Sequence, residues 1–179
     1  MRKSMLCIII GGSGSGKSAF AEELVCRLPG QRLYIATMTA RDPESLQRIA
    51  KHRKARAGHE FQTLEWGMDL AGAAESGREL PAGANVLLED LSNLLANEMF
   101  RPEGGGVDAV RAGIKTLAER CENLTVVTND IFSDGGRYDG MTDLYLRNLA
   151  LLNRELAREA DLVAEVVCGL PNVLKGNLP

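Results

Sequence analysis

The stretch "IIIGGSGSGKSAF", Ile8 to Phe20, joins an apolar run to a glycine-rich loop and then to the start of an apolar-periodic segment. Within it Gly11, Gly16, Lys17 and Ser18 satisfy the spacing G-x-x-x-x-G-K-[ST]. Glycines are needed there because backbone N–H groups must turn inward around phosphate oxygens with no Cβ in the way. Gly11, Gly12, Ser13, Gly14, Ser15 and Gly16 supply that cradle. Lys17 brings a point charge to the β and γ phosphates, and the Ser18 hydroxyl is a ligand for Mg²⁺. A helix beginning at Lys17 adds its positive end. The loop implies a bound nucleoside triphosphate but leaves its use open, since motors, switches and small-molecule kinases all carry such loops.

Outward from the loop, apolar strands alternate with amphipathic helices. "MLCIII" (Met5 to Ile10), "RLYIAT", "NVLLED", "NLTVVTND" and "DLVAEVV" read as strands buried on both faces, and "NVLKG" as a short sixth. Helices are predicted from Lys17 to about Leu28, from Pro43 to about Arg56, over "VDAVRAGIKTLAERC" and through Tyr145, Leu149, Leu152 and Leu156 to near Asp161. Asp42 is the expected N-cap of the second helix, with Pro43 at its first position. The pattern predicts an α/β fold: a mostly parallel sheet with helices on both faces, P-loop NTPase-like (RecA-like). One nucleotide-binding domain over residues 1–179 is expected, with no internal repeat and no convincing linker.

Composition narrows the function classes. Hydrophobic residues make up 45%, charged residues 25%, and the net charge is −3 with Lys and Arg dispersed, which disfavours a nucleic-acid surface. No apolar run reaches the roughly 18–20 residues needed to span a bilayer, and the N-terminal apolar run flows into the glycine loop as a strand rather than a signal. Cys7, Cys26, Cys121 and Cys168 lie far apart with no C-x-x-C pair. Reduced core thiols in a cytoplasmic protein are therefore expected, rather than a disulfide framework or zinc site.

Two further features bear on chemistry. "VLLED" places Glu89 and Asp90 at a strand end, where such a site needs an acid for its Mg²⁺ shell. One of two adjacent acids is also expected to cap the next helix, and the sequence leaves open which. In "YIATMTARDPESLQRIAKHRKAR", Arg48, His52 and Arg56 recur every four residues and share a helical face. Flanking cations keep the imidazole neutral and gather polyphosphate around it, as a histidine attacking phosphorus requires. His59 reads as an ordinary loop histidine.

Taken in order, "GGSGSGKS", "YIAT", then Asp42, Glu44, Arg48, Ile49, His52, Arg53 and Arg56 as D-x-E followed by R-I-x-x-H-R-x-x-R, then Glu89, Asn97, "VTND", "LNRELAREAD" and "VVCGLPNVLKG" resemble one family. It is the bifunctional adenosylcobinamide kinase / adenosylcobinamide-phosphate guanylyltransferase family of cobalamin biosynthesis. The resemblance implies phosphorylation of the aminopropanol hydroxyl of adenosylcobinamide with ATP or GTP, using Mg²⁺. GMP would then pass from GTP through a guanylyl-histidine, mapped onto His52, to adenosylcobinamide phosphate. It implies nucleotide contacts from Arg48, Arg53, Arg56 and Glu89, metal ligation among Ser18, Glu89 and Asp90, and a homo-oligomer, a trimer by resemblance. The run after Asn129, "DIFSDGGRYDGMTD", departs from the family pattern, with Asp130 in place of Glu. Alternatives from the residues alone are a kinase of another small alcohol and a nucleotide-dependent regulatory ATPase.

Overall fold

The computed structural model describes residues 4–38, 46–47, 50, 58, 60–76, 80–81, 83–132, 136 and 139–179. Among the described residues seven strands form one sheet. They are β1 (Met5–Gly11), β2 (Arg32–Ala36), β3 (Gln62–Glu65), β4 (Asn85–Glu89), β5 (Asn123–Asn129), β6 (Leu162–Val167) and β7 (Leu170–Lys175). Their order across the sheet is β3-β2-β4-β5-β1-β6-β7. Every neighbouring pair is parallel except β6 and β7, which form an antiparallel hairpin.

Alternation along the central strands sends side chains to two separate cores. Leu6 and Ile8 of β1, Leu33 and Ile35 of β2, and Val86 and Leu88 of β4 face one side. Cys7, Ile9, Tyr34 and Leu87 face the other. Strands buried on both sides must be apolar throughout, which is why "MLCIII" and "NVLL" show no polar alternation.

Helix α1 (Lys17–Cys26) covers the second side with Phe20, Ala21, Leu24 and Val25. It stops at Cys26 rather than Leu28, because "PG" at Pro29 and Gly30 turns the chain toward β2, Gly30 with φ +107°. The first side carries α2 (Leu70–Glu75), α3 (Leu91–Phe100), α4 (Gly106–Arg120) and α5 (Gly140–Glu159). The expected stripes hold: Val110, Ile114 and Leu117 of α4, and Leu149, Leu152 and Leu156 of α5, are buried. Each leucine so buried contributes roughly 2 kcal/mol. Asp139 starts α5 by accepting from Thr142 N at 2.8 Å.

β3 and α2 add to the predicted order, so "NVLLED" is the fourth strand rather than the third. The expected helix over 43–56 lies mostly outside the described residues; Leu46, Gln47 and Ala50 are helical. Among the described residues no helix is long and apolar enough to cross a membrane. All four cysteines are free: Cys7 and Cys121 buried, Cys26 half-buried, Cys168 exposed.

Candidate active site

The glycine loop bridges the carboxyl end of β1 and the amino end of α1. Gly16 caps α1 with φ +90°, and a Cβ on it would lie 3.0 Å from Gly169 Cα. A Cβ on Gly11 would meet Ser15 Oγ at 2.5 Å and Val166 O at 2.7 Å. These two glycines are therefore demanded by the protein itself. A Cβ on Gly12 or Gly14 would meet nothing within 4 Å, although Gly14, at φ +72°, also holds a backbone conformation that favours glycine. They face the open side of the loop, where a phosphate would approach.

Lys17 is buried, and its Nζ donates to Gly12 O at 3.0 Å, which folds the ammonium back over the loop. Gly169 N, in the β6–β7 turn, donates to Ser15 O at 2.8 Å and backs the loop from behind. That support was not predicted; the only signal for it in the sequence is the glycine of "VVCGLP".

Ser18 Oγ donates to Glu89 Oε1 at 2.5 Å across the gap between α1 and the end of β4. Glu89 is half-buried as a residue, yet its Oε2 is sealed from solvent and has no hydrogen-bond partner. Loss of solvent pushes its carboxyl up to about 7; the Ser18 hydrogen bond opposes this, and the neighbouring Asp90 charge adds to it.

Asp90 is engaged differently. Its Oδ1 accepts from Asn93 N at 2.7 Å, the N-cap bond of α3, and its Oδ2 accepts from Asn93 Nδ2 at 3.0 Å. Asn129, of "VTND", donates to Asp90 Oδ2 at 3.4 Å and to Ser92 Oγ at 3.0 Å. Burial pushes the Asp90 carboxyl up, against these hydrogen bonds. Strand parity separates the two acids. Leu87 faces α1, so Glu89, two residues on, faces Ser18, while Asp90 leaves the strand to start a helix.

The donor chemistry suits Mg²⁺. A serine hydroxyl and a carboxylate with an orphaned, buried oxygen are hard oxygen ligands beside a phosphate cradle. Among the described residues no group of three His, Cys, Asp or Glu forms an all-protein metal cage. A metal completed by substrate phosphates and water needs no such cage. Arg48, His52, Arg53, Arg56 and His59, together with Asp42, Glu44 and Ile49, lie outside the described residues.

A parallel sheet wound on both sides, a glycine loop between its first strand and first helix, and an acid at a nearby strand end define a P-loop NTPase-like nucleotide-binding protein. The sequence pattern described as "Cobinamide kinase / cobinamide phosphate guanyltransferase" matches residues 7–174. The chain belongs to that family, which makes it a transferase. It is 32% identical over 170 residues to the bifunctional adenosylcobalamin biosynthesis protein CobP of Pseudomonas aeruginosa, covering 94% of this chain and 96% of the relative. To the CobU proteins of the same description from Escherichia coli and Salmonella typhimurium it is 30% identical, covering 93% of this chain and 97% of each. A solved chain of an ATPase from a bacterial type III secretion system is similar at 14% identity and a TM-score of 0.48, over 94% of this chain and 56% of that one.

Proposed function

We propose that this chain is a bifunctional enzyme of cobalamin biosynthesis acting in the cytoplasm. It phosphorylates the aminopropanol hydroxyl of adenosylcobinamide with ATP or GTP, then transfers GMP from GTP to the phosphate so formed. The observation that carries the reading is the Ser18–Glu89 pair at the mouth of the phosphate loop, with one carboxylate oxygen left unpartnered. Family membership selects the substrate.

In the first reaction the loop amides and the amino end of α1 cradle the phosphates, and Lys17 moves from Gly12 O onto them. Ser18 and Glu89 hold Mg²⁺, which when bound offsets negative charge on the β and γ phosphates. The substrate hydroxyl oxygen takes the γ-phosphoryl group and gives up its proton to solvent, and the nucleoside diphosphate leaves.

In the second reaction His52 attacks the α-phosphorus of GTP. An N–P bond forms, and the bond to pyrophosphate breaks. Arg48, Arg53 and Arg56 gather the triphosphate, and Arg48 and Arg56 keep the imidazole neutral until it attacks. A phosphate oxygen of adenosylcobinamide phosphate then displaces the imidazole and yields adenosylcobinamide-GDP. The exposed apolar edge strand β7 supports a homo-oligomeric assembly.

Incubation with α-labelled GTP tests the reading. The expected result is a covalent label that is acid-labile and base-stable, absent from His52→Ala, with γ-phosphoryl transfer retained in that variant. Phosphoryl transfer without any label in the unsubstituted protein would reduce the chain to a kinase.

A further inference from the structure

Thr37, the last residue of "YIAT", has no chemistry in the reactions above, yet its polar atoms converge on the acid of the site. It is fully buried, one residue beyond β2. The β2–β4 ladder ends at the pair Ala36 and Glu89. Past that rung Asp90 turns away to begin α3, and its backbone leaves the sheet.

At this point the Thr37 side chain takes over from the ladder. Thr37 N donates to Glu89 O at 3.0 Å, and Asp90 N donates to Thr37 Oγ1 at 2.7 Å. Both polar groups of the peptide unit joining Glu89 to Asp90 are thus bonded to one residue. The same hydroxyl donates to Asp90 O at 2.8 Å. Thr37 O in turn accepts from Asn97 Nδ2 at 2.9 Å, and that amide also donates to Gly67 O at 3.0 Å. The hydroxyl thus both donates and accepts, and α3 holds the threonine from behind through Asn97.

We propose that Thr37 is a positioning residue for the Glu89 carboxylate, its hydroxyl clamping the peptide that aims Glu89 at Ser18. The proposal rests on the reading of Ser18 and Glu89 as the Mg²⁺-holding pair. Only a hydroxyl can both accept from Asp90 N and donate to Asp90 O; valine has the right shape and can do neither. Without it the buried Asp90 N–H loses its partner, and of the bonds from Thr37 only Thr37 N to Glu89 O still holds that peptide, which is then freer to turn. Glu89 is the residue immediately attached to that peptide, so its side chain turns too.

The experiment titrates phosphoryl transfer with Mg²⁺ in the unsubstituted protein, Thr37→Val, Thr37→Ser and Glu89→Gln, with thermal melting to establish that each is folded. For Thr37→Val the half-saturating Mg²⁺ concentration is expected to rise about tenfold and kcat to fall roughly 10- to 100-fold. The KM for the corrinoid substrate should stay within about twofold, because the clamp does not touch that substrate. Thr37→Ser, which keeps the hydroxyl, should return both Mg²⁺ dependence and kcat to within about threefold of the unsubstituted values. If Thr37→Val does not fold, Thr37→Ala, which differs from Thr37→Ser only by the hydroxyl, takes its place under the same criteria. A folded Thr37→Val with unchanged Mg²⁺ dependence and kcat, beside an impaired Glu89→Gln, overturns the positioning role alone. Equal damage from valine and serine overturns it as well, since the methyl packing would then be what matters. A fully active Glu89→Gln removes the metal-site reading, and this inference with it.

Discussion

Glu89 sits where the carboxyl edge of the sheet meets the phosphate loop, with one oxygen on Ser18 Oγ and the other on nothing. Its carboxyl holds a proton to about pH 7, against 4.5 for the group without that environment. The native state therefore carries the extra proton between those values. The stability linked to it is fully present below about pH 4.5 and is lost as pH rises through about 7. That loss amounts to at most about 3 kcal/mol, and less to the extent that solvent reaches the open side of the residue. Urea unfolding at pH 5 and pH 8, without added Mg²⁺, should show Glu89→Gln losing less stability over this interval than the unsubstituted protein; equal losses would contradict the perturbed carboxyl. Mg²⁺ should bind more tightly as pH rises over the same range, because the ligand must first lose its proton. The glycines and Lys17 were legible in the sequence because phosphate chemistry dictates their spacing. The choice between Glu89 and Asp90 was not, since neighbouring acids at a strand end look alike until the face covered by α1 is known. Thr37 was legible only as the end of "YIAT", because nothing in a sequence says that one hydroxyl will bond both sides of a distant residue's backbone.

Among the elements, α3 links the site to the helices that cover the first side of the sheet. Its amino end is capped by Asp90, next to Glu89, and its Asn97 braces Thr37. Further along, the buried Glu98 accepts from Asp69 N at 2.7 Å through one oxygen and from Gly105 N at 2.9 Å through the other. Those two amides stand at the entries to α2 and α4, whose backbones approach so closely that a Cβ on Gly113 would lie 2.7 Å from Leu70 Cβ. Removing the carboxylate leaves both amides without their partner. Glu98→Ala is expected to cost about 2–4 kcal/mol in denaturant unfolding, with Glu98→Gln costing less because one acceptor survives. The bridge from Arg111 to Glu155 at 2.8 Å, between α4 and α5, is the comparison: it is solvent-accessible, and Arg111→Ala should cost under about 1 kcal/mol. Equal losses from Glu98→Ala and Arg111→Ala would show that Glu98 is not the tie described. The long elements α4 and α5 were legible because their apolar stripes run over several turns. β3 and α2 were not: "QTLE" buries only Leu64, and "LAGAAE" only Leu70 and Ala74, too few positions to reveal a period.

Over the whole molecule the described sheet has two unlike edges. β3 is short and presents Gln62, Thr63 and Glu65 to solvent, the kind of edge that resists pairing with another chain. β7 is exposed along all six of its residues, with Leu170 72% and Leu174 60% exposed, beside Val167 at 53%. Its inner side is occupied, since it pairs with β6 and Lys175 Nζ donates to Ala157 O and Arg158 O near the end of α5. Its outer side carries leucines and open backbone groups, a combination that self-association covers. The turn into β7 is also the one whose Gly169 N donates to Ser15 O of the phosphate loop. The protein is therefore expected to be a homo-oligomer by light scattering at micromolar concentration. The double variant Leu170→Glu, Leu174→Glu should shift it toward the monomer with an unchanged circular dichroism spectrum, because both side chains already lie in solvent within the single chain. Nucleotide affinity should weaken in the dissociated variant, as the β6–β7 turn loses its outer support. A monomeric unsubstituted protein would refute the assembly. A dissociated variant with full nucleotide affinity would leave the assembly standing and separate it from the site.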